Sequence, residues 1–276
     1  MVASFSKCDS PRLRQIMEEL VRHLHAFAAK VGLTPEEWET AIRVLTATGH
    51  ITDERRQEFI LWSDALGLSS LVDALAHPGL PATTEATVLG PFWTPNAPIR
   101  AFGESMVERP AGTPALVRGR VLSSNGSPIA EAELDVWQNG GDHLYTVQDP
   151  TAPEGHLRGR FRTRADGSYA FVGVRPTPYT IPSDGPVGEM LKATGRHPWR
   201  PAHLHMIVTA PGYQRLTTHI FDAESEYLDA DAVFAVKHSL VRRFTPRSAD
   251  DPERPSNIDG PWCSLETDIV LEPDGG

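Results

Sequence analysis

The chain has 276 residues, with 26 Lys and Arg against 36 Asp and Glu, and its formal net charge of −10 argues against a broad nucleic-acid footprint. That length supplies ample apolar core for one large domain or two modest ones, so the only cysteines, Cys8 and Cys263, read as free thiols in a reducing compartment. A charged start followed by a long apolar run is lacking, and no apolar stretch reaches membrane-spanning length, so the expectation is a soluble, cytoplasmic protein with no membrane span.

Residues 11 to about 76 carry helical patterning broken by loops. Leu13, Ile16, Met17, Leu20 and Leu24 recur at helical spacing. Thr34-Pro35-Glu36-Glu37 supplies a cap, a proline at the first helical position and early acids, and a third helix start is expected at Thr52-Asp53-Glu54. His77 to Pro98 is a proline-punctuated connector. From Pro114 the signals become β. Strands are expected over Leu116 to Leu122 and Glu133 to Gln138, flanking the tight-turn pair Asn125-Gly126, and Asp166-Gly167 joins Phe161–Thr163 to Tyr169–Val174. Tyr179 to Gly195 reads as a long loop; His203 to Thr209, Leu216 to Phe221 and Glu266 to Leu271 read as strands, and Ala230 to Phe244 as a late helix. Short strands without crossover helices between most of them predict an antiparallel sandwich. The expected fold class is α+β: a helical region with its connector over 1–98, then a β-sandwich domain over 99–276.

His203 and His205 sit two apart in a strand-like run, so both imidazoles point to one face and can reach one ion. By spacing alone, a metal pair and a pair of hydrogen-bonded strand histidines are comparable readings. His23 and His25 have the same spacing on a helical segment, where residues two apart diverge by about 200°, and read as surface histidines. Phenols and imidazoles together favour ferric iron over softer metals, but spacing does not select tyrosine partners from the five available.

The segments Trp137-Gln138 through Leu144-Tyr145-Thr146-Val147-Gln148, Tyr179 through Pro186, Gly195 through His205, and Thr84 through Phe92 resemble the intradiol ring-cleaving dioxygenases. The likeness spans roughly residues 12 to 271. Ile181 through Gly188 and Thr217 through Phe221 are nearer the branch acting on trihydroxylated rings than the catechol branch.

The resemblance implies Fe(III) held by Tyr145, Tyr179, His203 and His205, both tyrosines ionised, with Tyr179 and a bound hydroxide taking the protons of the diol. It implies that Arg200 stabilises charge on the substrate ring, and that His219 supports the site at a position where many catechol enzymes carry glutamine. The substrate pocket would be lined by Leu61, Asp64, Val88, Gly90, Pro91, Phe92, Ile181, Pro182, Arg200 and Val233. Asp64, an acid on an apolar helix stripe with Leu61 and Leu68, would read a third hydroxyl; from the residues alone a solvated position is the simpler reading. The implied partners are a small aromatic diol or triol, dioxygen and a second copy joined through the N-terminal helices, with a phospholipid held there.

The sequence departs from the family's pattern at Gly140 through Tyr145, where His143 is a competing ligand, and at Ala223 through Tyr227 before the late segment. Other readings are a catechol or chlorocatechol 1,2-dioxygenase, a non-catalytic β-sandwich binding module, and a zinc hydrolase, for which no His-Glu-x-x-His motif supplies the acid.

Overall fold

In the computed structural model, which describes residues 1–53, 56–76 and 82–275, the chain divides into two units, Met1–Thr52 and Asp53–Gly276. The division falls well before the boundary at 98 expected from sequence, because the later helices and the 82–98 segment pack within the second unit.

The first unit holds a 3-10 turn, Val2–Lys7, and helices α1 (Pro11–Val31) and α2 (Pro35–Ile51). Ser10 Oγ accepts the Leu13 N–H at 3.2 Å, and Gly32, at φ +63°, ends α1 in the left-handed conformation that glycine adopts without steric cost. α2 opens on the expected cap: Thr34 Oγ1 accepts the Glu37 N–H while Glu37 Oε2 accepts the Thr34 N–H. Leu13, Ile16, Leu20, Leu24, Phe27 and Val31 of α1 and Trp38, Ile42 and Leu45 of α2 are exposed. His23 and His25 are exposed on α1, as expected.

The second unit begins with α3 (Glu58–Ala65) and α4 (Leu68–Ala76). The third helix thus starts later than expected; Glu54 lies outside the described residues, as do 77–81 of the expected connector, and Asp53 Oδ1 instead accepts the Arg56 N–H in a turn. The strands are β1 (Pro114–Ser123), β2 (Glu133–Gln138), β3 (Arg158–Arg162), β4 (Ser168–Val174), β5 (Tyr179–Thr180), β6 (Trp199–Arg200), β7 (His203–Thr209), β8 (Leu216–Asp222), β9 (Val241–Arg242), β10 (Thr245–Arg247), β11 (Trp262–Glu266) and β12 (Ile269–Leu271). One sheet runs β10-β11-β1-β12 with β4 also on β1; the other runs β3-β2-β7-β8-β9.

The sandwich is mixed rather than purely antiparallel, since β1 pairs parallel with β11 and β12, and β8 with β9. The expected strand over 266–271 is two strands broken at Thr267-Asp268. Asn125-Gly126 and Asp166-Gly167 do turn the chain tightly, but each turn leads from one sheet to the other. Part of the expected Tyr179–Gly195 loop is a helix, α5 (Pro186–Ala193), with proline at its first position.

The late helix over Ala230–Phe244 is not formed. Phe234 adopts φ +56°, which stops a helical turn at once, and the chain continues through a 3-10 turn at His238–Leu240 into β9. The apolar residues Ala232, Val233, Ala235 and Leu240 are all buried, so tertiary packing overrides local propensity.

Alternation along β7 decides where the site sits. Leu204, Met206 and Val208 enter the core between the sheets with Leu134, Val136, Ile220, Val117 and Phe171, each such burial contributing about 1.5–3 kcal/mol. His203, His205 and Ile207 therefore project from the opposite face of the same sheet.

Candidate metal centre

The β7 register sets His205 beside Trp137 of β2 and His219 of β8, with Phe221 beside His203. The His205 ring stacks on Trp137 at 4.6 Å, which fixes its plane. Tyr145 arrives from the segment before the 3-10 turn Thr146–Gln148 and stacks under Phe92 at 4.5 Å. Tyr179 and Arg200 face each other across the β5–β6 ribbon.

Three donor atoms converge: Tyr145 Oη lies 3.0 Å from His205 Nε2 and 3.5 Å from His203 Nε2, and the two nitrogens are 3.1 Å apart. Tyr179 Oη joins them through Arg200, whose Nη1 is 3.1 Å from that oxygen and 3.3 Å from His203 Nε2. All five side chains are buried.

His203 Nδ1 lies 2.7 Å from the Pro201 carbonyl. A carbonyl only accepts, so Nδ1 carries the proton and Nε2 turns its lone pair to the centre. Burial, with the Arg200 charge, holds His203 well below its ordinary pKa, and burial, His203 and Arg200 do the same to His205. Both rings are thus neutral, as metal ligands must be. Burial first, then the Tyr179 charge, pushes the Tyr145 phenol well up, with Arg200 opposing. The protein alone keeps that phenol protonated, and a bound cation would reverse this. Hard oxygen and borderline nitrogen donors converging in a buried space fit ferric iron.

The ring of His219 is 4.3 Å from that of His205 and 4.7 Å from that of His203, and neither of its nitrogens makes a well-formed hydrogen bond. Its ring nitrogens come close enough to those of His203 and His205 to share an ion. His143, the competing ligand, is exposed and turned away, with Nδ1 2.6 Å from the Pro178 carbonyl.

The expected pocket residues fall into adjoining groups. Leu61, Ile181 and Val233 share a buried cluster with Val88 against it, while Leu61, Pro91, Phe92 and Pro182 line a cavity of about 520 Å³ with Arg56, Glu58 and Trp93. A Cβ on Gly90 would lie 3.3 Å from His205 Cε1. Asp64 is buried, and burial raises its pKa against the Ser69 hydroxyl and the Arg200 charge.

Sequence reasoning missed Asp231. Its carboxylate pairs with Arg200 through Nε at 3.1 Å and Nη2 at 3.3 Å, both residues buried. Burial works against the Arg200 charge, but Asp231 and Tyr179 outweigh it and the guanidinium stays charged. The apparent helical pattern over 230–244 concealed this residue.

The fold and the site define a β-sandwich protein with a buried centre of phenol and imidazole donors. Residues 10–84 match the catechol dioxygenase N terminus and residues 88–272 the dioxygenase domain, and the chain belongs to the intradiol ring-cleavage dioxygenases. It is 48% identical to hydroxyquinol 1,2-dioxygenase of Nocardioides simplex over 99% of this chain and 93% of that protein. The crystal structure of hydroxyquinol 1,2-dioxygenase from Pseudomonas putida superposes with a TM-score of 0.94 at 49% identity, covering 99% of this chain and 96% of that one. Catechol 1,2-dioxygenase from Pseudomonas arvilla is 28% identical with a TM-score of 0.83, covering 97% and 87%. The chain is thus a ring-cleaving dioxygenase, of a family that generally uses iron.

Proposed function

We propose that the protein is a ferric-iron-dependent dioxygenase that opens hydroxyquinol, benzene-1,2,4-triol, between its adjacent hydroxylated carbons to give 3-hydroxy-cis,cis-muconate, the enol form of maleylacetate. The observation that carries the reading is the convergence of Tyr145 Oη, His203 Nε2 and His205 Nε2 within 3.5 Å, beside Tyr179. Tyr145, Tyr179, His203 and His205 hold the iron. When bound, the ferric ion orients and acidifies the diol and draws electron density from the ring, making it reactive toward dioxygen.

The chain's own residues do the rest. Tyr179 Oη receives a substrate proton, and Arg200 Nη1, 3.1 Å away, stabilises negative charge developing beside it. A guanidinium suits this role because it cannot give up its proton. His219, held neutral by burial and by the nearby Arg200 charge, supports the two ligand rings. Phe92 over Tyr145 keeps water off that ligand. Leu61, Val88, Gly90, Pro91, Ile181, Pro182 and Val233 form the walls that position the ring.

Asp64 selects the triol. Its buried carboxyl, within the influence of Arg200, accepts a hydrogen bond from the third hydroxyl. Catechol would not supply that donor, a penalty of about 1–3 kcal/mol. Asp64→Ala therefore lowers kcat/KM for hydroxyquinol at least about tenfold while catechol turnover holds or rises. Equal losses on both substrates would refute the assignment.

The exposed apolar residues of α1 and α2 support a homodimer joined through these helices, with a phospholipid tail occupying part of the same apolar surface. No single helix among the described residues is long and apolar enough to cross a membrane. Two free thiols fit a reducing compartment, which supports placement in the cytoplasm.

A further inference from the structure

Four donors surround the Asp231 carboxylate. Oδ1 accepts from Arg200 Nε at 3.1 Å and the Val233 N–H at 3.2 Å; Oδ2 accepts from Arg200 Nη2 at 3.3 Å and the Ala235 N–H at 3.1 Å. With Nε and Nη2 so engaged, the guanidinium is fixed in plane, and Nη1 is the arm directed at Tyr179 Oη and His203 Nε2. The two backbone donors pin the carboxylate in turn, in a segment whose Phe234 holds the left-handed conformation at φ +56°. Arg200 is thus aimed by an anchor that is itself fixed from its far side.

We infer that Asp231 is the positioning residue of the reaction, holding Arg200 so that Nη1 meets the substrate charge at Tyr179. The inference rests on the reading of Arg200 given above. Asp231 acts through Arg200, touches no reacting atom in this arrangement, and ties the guanidinium to the pocket wall at Val233 through one carboxylate. Asparagine keeps its shape but cannot replace it, because either orientation of the amide turns an NH2 group toward two donors.

The test uses the iron-loaded full chain with hydroxyquinol. Asp231→Asn lowers kcat about a hundredfold, the scale of a misplaced catalytic group. It also shifts the visible tyrosinate absorption in the same direction as Arg200→Gln, through the lost contact at Tyr179. Adding Asp231→Asn to Arg200→Gln produces no further fall in kcat, since the group it positions is already gone. Multiplicative losses, or a kcat loss in Asp231→Asn with no shift in absorption, would overturn the inference in favour of a purely structural role. Wild-type turnover in Arg200→Gln would remove the reading of Arg200 itself, and the inference with it.

A measurement on the unaltered sequence covers the case in which Asp231→Asn does not fold. In the full chain loaded with diamagnetic Ga(III), the Arg200 Nε–H resonance is sharp and protected from solvent exchange. Exchange as fast as that of the exposed arginines would overturn the inference.

Discussion

At the scale of single residues, Gly90 makes the sharpest claim. Its φ is +76° and an added Cβ would lie 3.3 Å from His205 Cε1, so Gly90→Ala both strains the backbone and presses on the His205 ring. The expected cost is about 1–2 kcal/mol from the backbone conformation alone, read as a lower Tm, together with reduced iron content per chain. Wild-type iron content and Tm would show that the loop yields freely. The histidines form an internal control: His203→Ala loses most iron and all ring cleavage, whereas His143→Ala keeps both, as metal analysis and oxygen uptake will show. His203 and His205 were legible because strand alternation puts residues two apart on one face, and His23 and His25 were correctly set aside because a helix does not. Tyr145 and Tyr179 were legible only by resemblance, since Tyr145 precedes a three-residue 3-10 turn and Tyr179 opens a two-residue strand, both too short for a period to be read. Asp231 was hidden because its role depends on a through-space pairing with Arg200, 31 residues away.

Among the elements, strand existence followed from alternating patterns, and β2 and β7 have the expected limits. Their partners were not legible. The tight turns at Asn125-Gly126 and Asp166-Gly167 resemble hairpin signals, yet each carries the chain across the sandwich, because the buried faces of its flanking strands belong to opposite sheets. The late segment misled because its spacing of alanine, valine and leucine mimics a helix, while Phe234 and the capture of two backbone N–H groups by Asp231 commit it to an irregular path.

The turn after Tyr145 offers a test with a defined sign. The Asp149 carboxylate accepts from the Thr151 hydroxyl and N–H and from Arg109, and these contacts, the Thr151 hydroxyl first, lower its pKa from 3.8 to about 2. A group lowered on folding stabilises the fold above its unfolded pKa and loses that contribution as pH falls through the folded value. The Tm difference between wild type and Asp149→Asn is therefore steady above 3.8 and closes as pH falls toward about 2. A difference independent of pH across that window would show that the Asp149 charge does not anchor the turn.

For the whole molecule, the exposed apolar residues on α1 and α2 predict association, and sedimentation at micromolar concentration should find twice the 30.3 kDa of one chain. Leu20→Asp with Leu24→Asp should shift that equilibrium to single chains; a wild type that is monomeric throughout would contradict the assignment. The central claim is that a Tyr145, Tyr179, His203 and His205 iron centre opens hydroxyquinol between its adjacent hydroxylated carbons. The most direct measurement is mass spectrometry of the product formed by the iron-loaded protein from hydroxyquinol under 18O-labelled dioxygen. The account predicts 3-hydroxy-cis,cis-muconate, or its keto form maleylacetate, with one labelled oxygen in each new carboxylate; a ring-opened aldehyde, or recovery of unlabelled hydroxyquinol alone, would contradict it.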